Sequence, residues 1–167
     1  METFKDEHDF YQEGEEREEM DQFYKNHRNF GLRAKHELKR AERYCEFLSL
    51  LIVDLSSLSK FAKRGALKNY RRIEVLSQEL EALIQESVRE TDLVSGVEDH
   101  RLLLLLSETP KEGAKSLAKR LGERVKYYIS NAVKTPQGWQ VPMNIFSYPD
   151  RRGKDKFLSF IQEITQS

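Results

Sequence analysis

Arg89-Glu-Thr-Asp92-Leu-Val-Ser-Gly-Val-Glu98-Asp-His-Arg101-Leu102, with the leucines that run on to Leu106, carries the reading of the fold. It has the profile of a strand, a tight turn and a buried strand. An arginine and an aspartate stand three apart before the turn, and the turn itself is filled with charge. Leucine alone suits a helix equally well. The run is short, however, and Thr109-Pro110-Lys-Glu112 directly after it reads as a helix start. There Thr109 serves as N-cap, Pro110 as first helical residue and Glu112 as the reciprocal acid of a capping box. A helix beginning at that point leaves the leucines to a strand.

Working outward, Phe30, Ala34, Leu38, Ala41 and Cys45 recur at helical spacing and predict an amphipathic helix with Cys45 on its apolar stripe. Its outer face carries Arg28, Arg33, Lys35, Lys39, Arg40 and Arg43. Leu48 to Leu55 is a nearly continuous apolar run, the profile of a strand covered on both faces. Residues 56–65 read as a polar loop. Ile73, Leu76, Leu80, Leu83/Ile84 and Val88 predict a second helix. After the hairpin, Ala114, Leu117, Leu121, Val125 and Ile129 mark a third. Trp139, Val141, Met143 and Ile145 alternate as a strand, with Trp139 packed between sheet and helix. Phe157, Phe160/Ile161 and Ile164 predict a closing helix. This order implies α+β or α/β layers, with helices packed on a mixed sheet.

The 167 residues suit one domain and a tail. The tail is residues 1–22 and the domain residues 23–167. No apolar run approaches the ~18 residues of a bilayer span, and the opening residues are too acidic for a secretory signal, so no membrane insertion is expected. The single cysteine allows no internal disulfide. A bacterial cytoplasm fits these features. The net charge of zero conceals an asymmetry. Residues 1–21 hold ten acids against two bases, so the rest of the chain carries an excess of eight positive charges. The acidic block reads as a flexible, solubilising tail, with competition for a basic surface as the sharper alternative. His8, His27, His36 and His100 have no metal-ligand spacing, so no metal site is expected. A pI near 6.9 and the lack of a DNA-reading motif argue against nucleic acid.

Several stretches, taken in order, resemble the GGDEF family of bacterial diguanylate cyclases. Tyr24 to Phe30 is similar to the family's NRR-F opening. Arg40-Ala-Glu-Arg43-Tyr44 and Leu48 to Asp54 are similar to its RA-RY and LSLLLLDID passage. Arg89 and Asp92 match its RxxD pair, Leu102 to Thr109 its strand and PET turn, and Tyr148-Pro149 its late Tyr-Pro corner. The resemblance covers about residues 23–150. It implies an adenylyl-cyclase-like palm: an α+β fold with a central, mostly antiparallel sheet flanked by helices.

The same resemblance places the signature turn at Glu98-Asp99-His100-Arg101-Leu102, five residues after Asp92. Glu98 and Asp99 stand where the family has two glycines. His100 and Arg101 stand where it has the acids that bind metal and assist deprotonation. Asp54 survives as a vestigial metal position, whereas the second aspartate has become Ser56. The family's base-recognition stretch and its DxLTGL turn are missing too. No catalytic residue, cofactor or metal is therefore expected. The retained pair implies the family's inhibitory site, where cyclic di-GMP would be held by Arg89, Asp92 and, by position, Arg120. An arginine fork suits guanine O6 and N7, and an aspartate suits guanine N1–H and its amine. The site reads as exposed. As an isolated string, the RxxD pair is equally consistent with a surface ion pair. In the family the ligand binds as a stacked pair, whose second nucleotide seeks arginines such as Arg33 or Arg40. The function implied is a non-catalytic receptor acting through an unidentified protein partner or a ligand-linked homodimer. A nucleotide-independent scaffold is the alternative, followed by a working cyclase.

Overall fold

The computed structural model describes residues 22–63 and 70–166. The expected acidic tail lies outside the described residues, except for Gln22. In chain order the elements are α1 (His27–Tyr44), β1 (Leu48–Asp54), α2 (Ser57–Lys63), α3 (Tyr70–Ser87), β2 (Leu93–Val94), β3 (Arg101–Ser107), α4 (Lys111–Ala132), β4 (Met143–Tyr148) and α5 (Arg151–Thr165). The strands form one sheet in the order β2-β3-β1-β4, and each of these pairings is antiparallel. The expected α+β palm is the observed architecture.

The run Leu48–Val53 is buried at every residue because the sheet is covered on both faces. Leu51, Val53, Leu102, Leu104 and Leu106 face one core with residues of α2, α3 and α4. Leu48, Leu50, Ile52, Leu103 and Leu105 face a second core with α1 and α5. Side-chain alternation along β1 and β3 thus splits one leucine-rich pair of strands between two layers. The α1–α5 contact is close. A Cβ on Gly31 would sit 2.8 Å from the Thr165 methyl. The join between β4 and α5 is equally tight, since a Cβ on Gly153 would collide with the Ser147 carbonyl.

Four local expectations are corrected. Residues 57–63 form helix α2 rather than loop, because Leu58 and Phe61 lie three apart and both bury into the first core. Residues 64 and 65 of that stretch lie outside the described residues. Cys45 is exposed, not core: it ends α1 in the left-handed region at φ 53°, with Glu46 N–H donating to Ala41 O at 2.9 Å. Pro110, not Thr109, is the N-cap of α4, and no side chain caps that end. Trp139 and Val141 precede β4. The Trp139 ring stands edge-on to Phe61 at 5.3 Å, so it packs against α2 beyond the strand's end.

Candidate ligand cleft and the signature turn

β3 links two functional regions, the Arg89–Asp92 pair at its Ser107 end and the charged turn at its Arg101 end. Strand β2 is only two residues long, so Arg89 and Asp92 sit in a turn between α3 and the sheet. Asp92 is buried and its carboxylate is committed to backbone. Oδ2 accepts from Arg89 N–H at 3.1 Å, and Oδ1 accepts from Ser107 N–H at 3.1 Å. The guanidinium of Arg89 completes a clasp. Its Nε lies 3.5 Å from Asp92 Oδ2, while Nη2 donates to Ser107 O at 2.6 Å and Thr109 Oγ1 at 2.7 Å. Thr109, read from sequence as a helix cap, is a member of this network. The expectation of an exposed site holds for Arg89, whose side chain is 58% exposed, and fails for Asp92 at 3%.

Arg120, on α4, is exposed and lines the same cleft as Arg89 and Asp92, with Thr109, Leu106 and Leu117 beside them. This cleft encloses about 310 Å³. The structure therefore brings together the three residues that the sequence reading combined. Asp92 is also part of the wall of a second cleft of about 440 Å³, where Arg33 and Arg40 of α1 meet Thr91 and Tyr24. Arg33 is not free there, since Glu37 holds it at 2.9 Å. Nothing in a one-dimensional pattern pointed to Ser107 and Thr109 as supports for Arg89. Their contribution depends on where β3 ends.

At the other end, Glu98 and Arg101 exchange two backbone hydrogen bonds of 3.1 and 3.0 Å around Asp99 and His100. The two central residues have φ of 51° and 59°, as a two-residue type I′ hairpin requires. That geometry ordinarily selects Asn-Gly, and each non-glycine residue in it costs roughly 1–2 kcal/mol. The turn is tied to three helices. Glu81 Oε1 on α3 accepts from Val97 N–H at 2.8 Å. Glu98 Oε2 accepts from His27 N–H at 3.0 Å, placing a carboxylate at the positive end of α1. Arg101 reaches α5, where Nη1 meets Glu163 Oε1 at 3.2 Å and the guanidinium lies 5.2 Å from the Phe160 ring centre. Asp99 lies 3.7 Å from the same guanidinium.

His27 is buried under this turn and donates Nε2–H to Gly96 O at 3.0 Å. Burial pulls its pKa below the ordinary imidazole value, opposed by the Gly96 hydrogen bond and the Glu98 carboxylate, while Arg101 reinforces the depression. Asp54 stands opposite Arg101 in the β1–β3 ladder, and its Oδ1 accepts from Ser56 N–H at 2.8 Å. Among the described residues no group of three or more His, Cys, Asp or Glu is arranged to hold a metal ion. No described helix is long and apolar enough to cross a membrane.

A family model described as diguanylate cyclase, GGDEF domain, matches residues 23–164. Among solved structures, the chain resembles the coiled coil and GGDEF domain of DgcB from Caulobacter crescentus in complex with c-di-GMP. The TM-score is 0.60 at 8% identity, over 93% of this chain and 87% of that one. It also resembles the active GGEEF domain of a diguanylate cyclase from Vibrio cholerae, with TM-score 0.54 and 15% identity, over 85% and 89% of the two chains. A third match is the diguanylate cyclase SiaD in complex with its activator SiaC, from Pseudomonas aeruginosa. Here the TM-score is 0.53 and the identity 15%, over 95% of this chain and 65% of that one. At these identities the structures establish a shared fold. No curated protein matches the sequence.

Proposed function

The chain belongs to the GGDEF domain family, and within it we propose a receptor for cyclic di-GMP that does not synthesise the nucleotide. The observation that carries this reading is the meeting of Arg89, Asp92 and Arg120 in one cleft. Arg89 is positioned for recognition because Ser107 O and Thr109 Oγ1 fix its plane, which lowers the ordering cost of binding a base or phosphate. Arg120 supplies a second guanidinium for guanine or phosphate. Asp92 Oδ2 is filled by Arg89 N–H and Nε, whereas Oδ1 bonds only Ser107 N–H and keeps a lone pair with which to accept from a guanine edge.

The signature turn supports the non-catalytic half of the proposal. Phosphoryl-type transfer in this family's chemistry relies on cations held by carboxylates. Asp54 faces Arg101 across the ladder, and Glu98, the nearest turn carboxylate in the hairpin ladder, is used on α1. A divalent cation there would sit against a guanidinium. This donor set does not fit the metal.

The output would pass through a protein partner, or through a second copy joined by a stacked ligand pair. Arg40, and Arg33 once released from Glu37, line the cleft on the far side of Asp92 and are the arginines offered to the second nucleotide of that pair. A nucleotide-independent interaction module is the competing reading. It is favoured by the commitment of both Asp92 oxygens to backbone, as in a purely structural clasp.

Titration calorimetry with cyclic di-GMP separates the two. A receptor gives micromolar or tighter affinity, about −8 kcal/mol or better, whereas a scaffold gives no heat. GTP with Mg²⁺ is expected to yield no cyclic product. Product formation abolished by Asp54→Ala would overturn the non-catalytic assignment.

A further inference from the structure

Between the two oxygens that hold the Arg89 guanidinium stands Glu108. Ser107 O accepts from Arg89 Nη2 at 2.6 Å on one side of it, and Thr109 Oγ1 does so at 2.7 Å on the other. Thr109 Oγ1 also donates to Ser107 O at 2.8 Å, which closes a tight loop around residue 108. Glu108 takes the left-handed region there, at φ 49°, a conformation that strains any residue with a Cβ and that glycine adopts freely. Two clefts meet at this loop. Asp92 and Glu108 are the residues that line both the Arg89–Arg120 cleft and the Arg33–Arg40 cleft. Among the described residues, they are also the only acids lining the Arg89–Arg120 cleft. The two carboxylates differ in what they can still accept. Asp92 is buried and bonds Arg89 and Ser107, so a single lone pair on Oδ1 is left. Glu108 is exposed, and among the described residues no ion pair or hydrogen bond engages its carboxylate.

We propose that Glu108 is the residue that makes this cleft specific for guanine, an inference that rests on the receptor function proposed above. Guanine presents N1–H and its 2-amine side by side, two donors in one plane. An ionised carboxylate is an acceptor at both oxygens, so a free one meets that pair with two parallel hydrogen bonds. Asp92, with one lone pair left, can meet only one donor. Arg89 and Arg120 carry donors alone, which suit guanine O6 and N7 or a phosphate and cannot take this edge. The lining of the cleft therefore divides the base between arginines on its acceptor side and Glu108 on its donor side. The charge of Glu108 sharpens the choice. A cyclic dinucleotide is an anion, and an exposed carboxylate beside it is unfavourable unless the base supplies donors to match. Guanine supplies both. Adenine turns an acceptor at N1 toward the carboxylate and has no 2-amine, so the unmatched charge acts against it.

The test is a cycle of two ligands and two proteins, read by titration calorimetry on the full chain. The ligands are cyclic di-GMP and cyclic di-IMP, its hypoxanthine analogue, which lacks only the 2-amine. The proteins are the parent and Glu108→Gly, in which glycine holds the left-handed turn without strain. The parent should prefer cyclic di-GMP by about ten-fold, the scale of one discriminating base contact. In Glu108→Gly the affinity for cyclic di-GMP should fall by about ten-fold or more, that for cyclic di-IMP should fall less, and the preference should shrink below about two-fold. Glu108→Gln, which keeps the size of the side chain, should narrow the preference as well, because its amide turns a donor toward one of the two guanine donors. A parent without the preference, or variants that keep it, would overturn the assignment, since a merely structural role weakens both ligands alike. Tighter binding of cyclic di-GMP by Glu108→Gly would overturn it too, and would make Glu108 a repulsive charge only. All three of these outcomes leave the receptor function standing. A parent that binds neither ligand would overturn that function and this inference together.

Discussion

The two ends of β3 are built from the same chemistry and use it in opposite ways. At the Ser107 end, the acid is buried in backbone hydrogen bonds while its arginine remains 58% exposed beside Arg120. At the Arg101 end, the arginine's side chain is 25% exposed and lies on Phe160 and Glu163, while Glu98 bonds the start of α1. One end leaves cationic donors facing a cleft. The other spends its charges on holding a turn against three helices. An arginine near an acid is therefore no guide to function until its other contacts are known.

The strongest way to break this comparison is Asp92→Ala. It strands the Arg89 and Ser107 N–H groups, and a buried unsatisfied donor costs about 1–3 kcal/mol. A loss of about 2–4 kcal/mol in denaturant unfolding is expected, and a variant as stable as its parent would mean that the clasp carries no load. Arg120→Ala should do the reverse. It touches binding alone, weakening cyclic di-GMP by about 1–3 kcal/mol in calorimetry with an unchanged unfolding midpoint, because the side chain is exposed. Arg101→Ala tests the other end. Loss of the ring contact and the Glu163 pair should lower stability by about 1–2 kcal/mol and leave ligand affinity as it was. Lost affinity would show that the two ends are coupled.

Two smaller effects sharpen the picture of the turn. His27 has a depressed pKa in the fold, so below the ordinary imidazole value near ~6.5 the unfolded chain binds a proton that the folded chain refuses. Its contribution to stability is complete above that pH. It is lost as pH falls toward the folded-state pKa, at no more than about 1.4 kcal/mol per unit. The groups facing the imidazole are Gly96 O, Glu98 and Arg101. Unfolding followed from pH 7 to 5 in parent and His27→Gln should show the slope flattened in the variant. His100→Gly should stabilise by about 0.5–1 kcal/mol, since glycine removes left-handed strain but loses more chain entropy on folding. Destabilisation would argue that the imidazole makes a contact that outweighs the strain.

Much of this architecture follows from linear pattern. The helical spacing in α1, α4 and α5, the doubly covered β1 and the short β3 are local consequences of which residues are apolar and at what period. The Arg89–Asp92 pair and the charged turn were legible because residue identity and spacing define them. Local pattern failed where an element is short or a side chain has two competing uses. Helix α2 shows only Leu58 and Phe61 as its apolar pair, too few to set a period, and it exists because both bury against the first core. Thr109 can cap a helix or bond an arginine, and the end of β3 brings Arg89 within reach of it. Cys45 continues the apolar spacing of α1, yet the chain turns away at that residue and exposes it. The sequence by itself determined the layers, the antiparallel hairpin and the charge types at both ends of β3. Only the tertiary structure decided which charges face a cleft and which face a helix, because that depends on three-dimensional neighbours that are distant in sequence: Ser107 for Arg89, His27 for Glu98, Glu163 for Arg101.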